Sequence, residues 1–158
     1  MELIILIGLQ ASGKSTFANM TFPEHIKVSK DAMPNVKNKN RRQENLIRET
    51  FEAGSSVVVD NTNPSRTDRE KLITLGKEYN AHTVAYYFSS QIRECMDRNR
   101  SRDGKACVPD VAIYSTLHKL EQPSYDEGFD EIYYVEIGLG PASFTTKEWQ
   151  QESINGTE

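Results

Sequence analysis

At 158 residues, with 37% hydrophobic and 27% charged positions, the chain has the composition of one ordinary globular domain with a single core. Nineteen basic residues against twenty-three acidic ones leave a net charge of −4, which argues against a protein that coats nucleic acid nonspecifically and still allows a small basic groove on an acidic body. No apolar run approaches the roughly eighteen residues of a membrane span, the N-terminal apolar stretch lacks the basic flank of a signal peptide, and Cys95 and Cys107 have no C-x-x-C or metal spacing. A cytoplasmic protein with reduced thiols is therefore expected, with no membrane contact and no disulfide partner; nothing in the chain signals an oligomeric state.

The first predicted strand is Leu3–Ile7. Directly after it, Gly8-Leu-Gln-Ala-Ser-Gly-Lys-Ser15 and Thr16 read G-x-x-x-x-G-K-S-T, a phosphate-binding loop placed between a strand and a helix. The glycines permit positive φ, so successive N–H groups can converge on a polyphosphate; Lys14 can reach the β- and γ-phosphates, and Ser15 can offer its hydroxyl to Mg²⁺. The helix runs from Lys14 to about Met20 and ends before Pro23. A short strand, His25–Val28, is followed by Ser29-Lys-Asp31, and in open parallel α/β sheets such a carboxyl end is where ligands sit.

Residues 33–40, with Pro34, three asparagines and two lysines, read as a connection. A second helix spans about Arg41–Ala53, with Leu46, Ile47, Thr50 and Phe51 on its apolar stripe and Gly54 as its stop. Lys37, Lys39, Arg41, Arg42 and Arg48 form a basic cluster, either a solvated helix face or a surface that meets phosphates. The strand Ser55–Asp60 ends on an acid, as a metal-supporting aspartate opposite a phosphate loop does. Pro64 suits the first position of a helix reaching about Tyr79. Strand Thr83–Phe88, helix Gln91–Asn99, helix Asp110–Leu120 and strand Ile132–Ile137 follow. In the tail, Thr145-x-x-Glu148 is a possible capping box for a short helix bearing Trp149, itself read as a packing residue.

Phosphoryl transfer needs a held nucleotide, a metal, an aligned acceptor oxygen and cations over the developing charge. The chain supplies a candidate for each. Lys14 and Ser15 hold phosphate and metal, Asp31 is the general base on an acceptor hydroxyl, and Asp60 supports Mg²⁺ mostly through water. Arg98, Arg100 and Arg102 lie on a helix end and a Gly-containing loop, as lid arginines over a transferring phosphate do, although Glu94 four residues before Arg98 also explains that residue as a surface ion pair. His25, His82 and His118 share no metal spacing.

Taken together, these residues resemble the kinase domain of polynucleotide 5′-hydroxyl-kinases, as found in the phage enzyme and in polynucleotide kinase-phosphatases. The resemblance is carried by Gly8–Thr16, Ser29-Lys-Asp31, Val59-Asp-Asn-Thr-Asn-Pro64, Arg98-Asn-Arg-Ser-Arg102, Val108-Pro-Asp110 and Glu121-Gln-Pro-Ser-Tyr-Asp-Glu-Gly-Phe129. It implies a P-loop kinase-type three-layer α/β sandwich over residues 1–140, with a five-stranded parallel sheet in the order 2-3-1-4-5, a helical lid at about 97–109, and a tail at 141–158 holding the short helix. It implies ATP and Mg²⁺ as cofactors and a 5′-OH polynucleotide as acceptor. Nucleotide contacts would come from Gly8, Ala11, Ser12, Gly13, Lys14, Ser15, Thr16 and Arg98, and catalysis from Asp31, Lys14, Arg102 and Arg100, with Ser15 and Asp60 at the metal.

The family's acceptor-phosphate arginine lies three residues beyond the catalytic aspartate, where this chain has Pro34. Lys30, Lys37, Arg41 or Arg42 would have to replace it. No D-x-D-x-T segment of a phosphatase half occurs. A P-loop kinase of a small hydroxyl metabolite and a nucleotide-dependent regulatory module are the alternative readings.

Overall fold

The computed structural model describes residues 1–34, 37–89, 91–138 and 143–149. In chain order the elements are β1 (Glu2–Ile7), α1 (Lys14–Thr21), β2 (Ile26–Val28), α2 (Lys39–Glu52), β3 (Val57–Val59) and α3 (Arg66–Glu78), then β4 (His82–Phe88), α4 (Ile92–Arg100), α5 (Asp110–Lys119), β5 (Glu131–Ile137) and β6 (Phe144–Glu148). Leu3 to Ile7 are all buried, and such an uninterrupted apolar run belongs to a strand covered on both faces. Leu3, Ile5 and Ile7 pack with Ile47 and Phe51 of α2 and Leu72, Ile73 and Leu75 of α3. Ile4 and Leu6 belong to the opposite layer, with Phe17 and Ala18 of α1.

The strand order is β2-β3-β1-β4-β5-β6. The first five strands are parallel, and their expected order is borne out. The sheet has six strands rather than five, because the tail adds β6 antiparallel to β5, pairing Tyr133 with Glu148 and Ile137 with Phe144. A helix opening at Thr145 was the expectation, and the stretch is extended instead. Phe144, Thr145 and Thr146 are aromatic or β-branched residues that suit a pleated surface, and β5 would otherwise present an open edge. Both flanking rings also find partners. Phe144 meets Phe17 edge-on at 5.3 Å, and the Trp149 ring packs on Tyr87 at 5.5 Å and Tyr134 at 5.6 Å while its backbone N–H donates to the Ile132 carbonyl. The rest of the expected tail helix, from residue 150 on, lies outside the described residues.

Two helix starts also move. α2 starts at Lys39, not at Arg41, because Asn38 is the cap, its Oδ1 accepting from the Arg41 N–H at 3.1 Å. α3 starts at Arg66, not at Pro64, because Ser65 is the cap: its hydroxyl accepts from the Asp68 N–H at 3.1 Å and Asp68 returns the bond to the Ser65 N–H at 3.2 Å.

This topology brings three connections to one edge. The Gly8–Gly13 loop leaves β1, Asp31 sits in a 3₁₀ turn (Lys30–Ala32) after β2, and Asp60 follows β3, its N–H donating to the Val28 carbonyl at 2.8 Å.

Candidate active site

The loop after β1 turns tightly enough that two of its residues have positive φ, Ala11 at 59° and Gly13 at 88°. Gly13 caps α1, and a Cβ there would meet Phe144 at 3.1 Å and Ile137 at 3.3 Å as well as carry backbone strain. At Gly8 a Cβ would meet the Phe88 Cβ at 3.0 Å and Ser12 Oγ at 3.1 Å, so the loop lies against β4. The N–H groups of Ser12, Gly13, Lys14 and Ser15 find no acceptor among the described residues. These orphan donors at a helix N-terminus form an anion cradle.

Lys14 is buried, and its ammonium donates to the Leu9 carbonyl at 2.5 Å, the Gly8 carbonyl at 3.1 Å and Ser12 Oγ at 3.3 Å. Burial pushes its pKa down from 10.5 to about 8; Asp60 and Asp31 pull it up, and Arg102 pushes it further down. Those influences locate three charged groups around one ammonium. They line a single cleft of about 860 Å³, together with Ser15, Lys27, Lys39, Asn61 and Gln10.

Ser15 Oγ donates to Asp60 Oδ2 at 2.6 Å, and Lys27 Nζ stands 3.3 Å from the same oxygen. Lys27 is a cleft residue that sequence reading missed, since a lysine on a three-residue edge strand reads as solvated. Ser15 and Asp60 present hard oxygens beside the cradle, the donor type that suits Mg²⁺. Among the described residues no three His, Cys, Asp or Glu side chains group as metal ligands, so an ion here would complete its shell with phosphate and water.

Asp31 is exposed on the cleft wall, and its carboxylate accepts no hydrogen bond among the described residues. Its turn is held from behind: Asn61 Oδ1 accepts from the Lys30 N–H at 2.9 Å, and Asn61 Nδ2 donates to the buried Gln43 Oε1 at 2.6 Å. Asn63 fastens the same connection to β1 by donating to the Leu6 carbonyl at 2.8 Å. Beyond it, Arg69 is fully buried; it forks onto Glu127 at 2.9 and 3.0 Å and donates to the carbonyls of Asn63, Pro64 and Glu121, each at 3.1 Å. Asn61 and Asn63 thus anchor this turn, one to the connection that carries Asp31 and the other to β1.

The three arginines expected in a lid separate. Arg102 lines the cleft and is steadied by the Ala106 carbonyl at 3.3 Å. Arg98 instead donates to the Ala11 carbonyl at 2.9 Å, bracing the loop's backbone from outside, and also reaches Glu94 at 3.4 Å. Arg100 is exposed between Asp97 at 3.5 Å and Asp110 at 3.7 Å and does not line the cleft. The base of the segment is closed by the buried Asn99, which donates to the Val108 carbonyl at 2.7 Å and accepts from the Val108 N–H at 3.0 Å.

The basic cluster divides too. Arg48 is taken by Glu78 at 2.8 Å. Lys39 lines the main cleft, and Lys37, Arg41 and Arg42 line a neighbouring depression of about 420 Å³ with Glu49. Among the described residues none of these four cations has a carboxylate within ion-pair distance.

Residues 3–123 match the family model described as an AAA domain. The chain is 27% identical over 139 residues to the bifunctional polynucleotide phosphatase/kinase of Schizosaccharomyces pombe, a match covering 85% of this chain and 33% of that one, so the chain spans about a third of its relative's length. A sugar kinase from Janibacter has a similar structure, with a TM-score of 0.64 at 16% identity over 86% of this chain and 85% of the other. A fungal RNA kinase gives 0.62 at 16% identity over 85% and 38%. These likenesses show a shared fold of the P-loop kinase type.

Proposed function

The chain belongs to the AAA domain family, and from that premise we propose that it is an ATP-dependent kinase that moves the γ-phosphate onto the 5′-hydroxyl of a polynucleotide. The observation that carries this reading is the convergence of Lys14, Ser15, Asp31, Asp60 and Arg102 on one cleft.

In this mechanism the orphan N–H groups of the loop and the Lys14 ammonium bind the triphosphate; Lys14 leaves the Gly8 and Leu9 carbonyls to do so. Asp31 accepts the proton of the acceptor hydroxyl as its oxygen attacks the γ-phosphorus and the bond to the β,γ-bridging oxygen breaks, releasing ADP, and Arg102 stabilises the charge that spreads over the transferring group. Ser15 and Asp60 would hold Mg²⁺, which supplies charge neutralisation on the phosphates when bound. Arg98 keeps the loop's backbone in shape. Arg100, between two aspartates, has a supporting place rather than a catalytic one.

The polynucleotide is favoured by Lys39 in the cleft and by Lys37, Arg41 and Arg42 in the second depression, cations without a carboxylate partner among the described residues of a net acidic protein. Lys39 is the one that reaches the cleft beside Asp31, and it takes the acceptor-phosphate contact that Pro34 cannot make. A second reading, phosphorylation of a small hydroxyl metabolite, draws support from Pro34 itself, which leaves no cation three residues beyond Asp31.

One experiment separates them. The protein is incubated with γ-labelled Mg-ATP and a 5′-OH oligonucleotide, a metabolite panel, or neither. Label on the oligonucleotide end is expected. Label only on a metabolite would replace this reading with the second, and ATP binding with no transfer would indicate a regulatory module. Oligonucleotide affinity should also fall steeply with salt, a dependence a neutral sugar lacks.

A further inference from the structure

Asp60 Oδ2 is shared by two groups that the proposed reaction treats differently. Ser15 Oγ donates to it at 2.6 Å, and Lys27 Nζ, reaching from β2, lies at 3.3 Å with Asn19 Oδ1 of α1 as its other partner at 3.4 Å. Asp60 is buried, and a buried carboxylate without a compensating charge is unfavourable. The Lys27 side chain is one-third exposed on a flexible four-carbon stem, so it can swing away while a cation fixed in the core could not.

We propose that Lys27 is a tethered cation that stands on Asp60 in the nucleotide-free protein and yields this place to the divalent ion, so that metal binding is an exchange of ammonium for Mg²⁺. The inference rests on the reading of Ser15 and Asp60 as the metal side of the cleft and is independent of what the acceptor is. Its consequence is a coupling. While Lys27 holds the carboxylate, the free ion gains little from Ser15 and Asp60 alone. When a nucleotide is present, its phosphates offer the displaced ammonium a new partner on the same cleft wall, and the ion and the nucleotide enter together. Lys14 does not share this role, since its ammonium is occupied by loop carbonyls rather than by Asp60.

The test is Mn²⁺ binding to the full chain without nucleotide, followed by the loss of the free-ion electron paramagnetic resonance signal. A unit charge displaced from so short a distance in a half-solvated site changes cation affinity by roughly tenfold. Lys27→Met is therefore expected to bind Mn²⁺ roughly tenfold tighter than the wild type, and the effect of ATP on Mn²⁺ affinity should shrink by a similar factor. Lys27→Arg, which keeps the charge, should stay within about twofold of the wild type. Asp60→Asn should weaken Mn²⁺ binding. If Lys27→Met binds no tighter than the wild type while Asp60→Asn still weakens binding, the exchange is refuted and the metal side stands. If Asp60→Asn has no effect, the metal side itself is misassigned and the exchange falls with it.

Discussion

Replacing Lys14 by Met should make the nucleotide-free protein more stable at neutral pH while removing its ability to bind a triphosphate. The ammonium is buried, and the interval between its ordinary pKa of 10.5 and its value of about 8 in the fold corresponds to about 3 kcal/mol against the charged form. Methionine has nearly the same shape and no charge to desolvate. It leaves the Gly8 and Leu9 carbonyls and Ser12 Oγ without a donor, which returns roughly 1–2 kcal/mol, for a net gain of about 1–2 kcal/mol at pH 7. The pH dependence isolates the cause. Below about pH 8 lysine is protonated in both states and the penalty is complete. From there up to 10.5 the folded lysine is neutral while the unfolded one still binds a proton, so wild-type stability rises with pH and the advantage of the variant shrinks.

Urea unfolding of both proteins at pH 7 and pH 10 should show the difference between them change by about 2–3 kcal/mol, on the order of 1 M in midpoint, with the other titrating groups cancelling between the two curves. ATP should raise the midpoint of the wild type only. A difference of the same size at both pH values, or a methionine variant less stable at pH 7, would refute the reasoning that Lys14 is held at a cost until phosphate arrives.

Three further outcomes are expected. Asp31→Asn should leave ATP affinity near that of the wild type, measured by titration, while single-turnover transfer falls by roughly a hundredfold or more. Arg102→Gln should lower transfer by roughly tenfold to a hundredfold, whereas Arg100→Gln should stay within about threefold in the same assay, because only Arg102 lines the cleft. Arg69→Met should destabilise the fold by about 3–5 kcal/mol in denaturant titrations, since it strands the buried Glu127 carboxylate, and adding Glu127→Leu should recover part of that loss.

Much of the sheet was legible in the residues because its signals are local. The apolar run at Leu3–Ile7, the glycines at 8 and 13, and an acid just after each of β2 and β3 mark the carboxyl edge of a parallel sheet, although the strand order itself came from the resemblance. What escaped depends on partners far apart in the chain. Gln43 reads as an ordinary polar helix residue until Asn61 is placed against it, and Arg69 reads as solvent-facing until Glu127 arrives from 58 residues away. The arginines at the end of α4 and just beyond it illustrate the limit in small compass: Glu94 marks Arg98 as a surface ion pair, yet nothing in the spacing tells that Arg98 also braces Ala11 or that Arg102 rather than Arg100 lines the cleft. The tail failed for a different reason. A Thr-x-x-Glu pattern is a weak local preference, and pairing with β5 overrode it.

Phe144 sits against the one residue of the cradle that tolerates no side chain, which makes the final strand a back wall of the phosphate site. A minimal fragment trimmed at about residue 140, the boundary expected from the sequence, would remove that wall, leave the hydrogen-bonding rim of β5 bare and open Gly13 to water. Shortened versions of this protein should therefore lose nucleotide affinity and solubility together, although every residue of the G-x-x-x-x-G-K-S signature is retained.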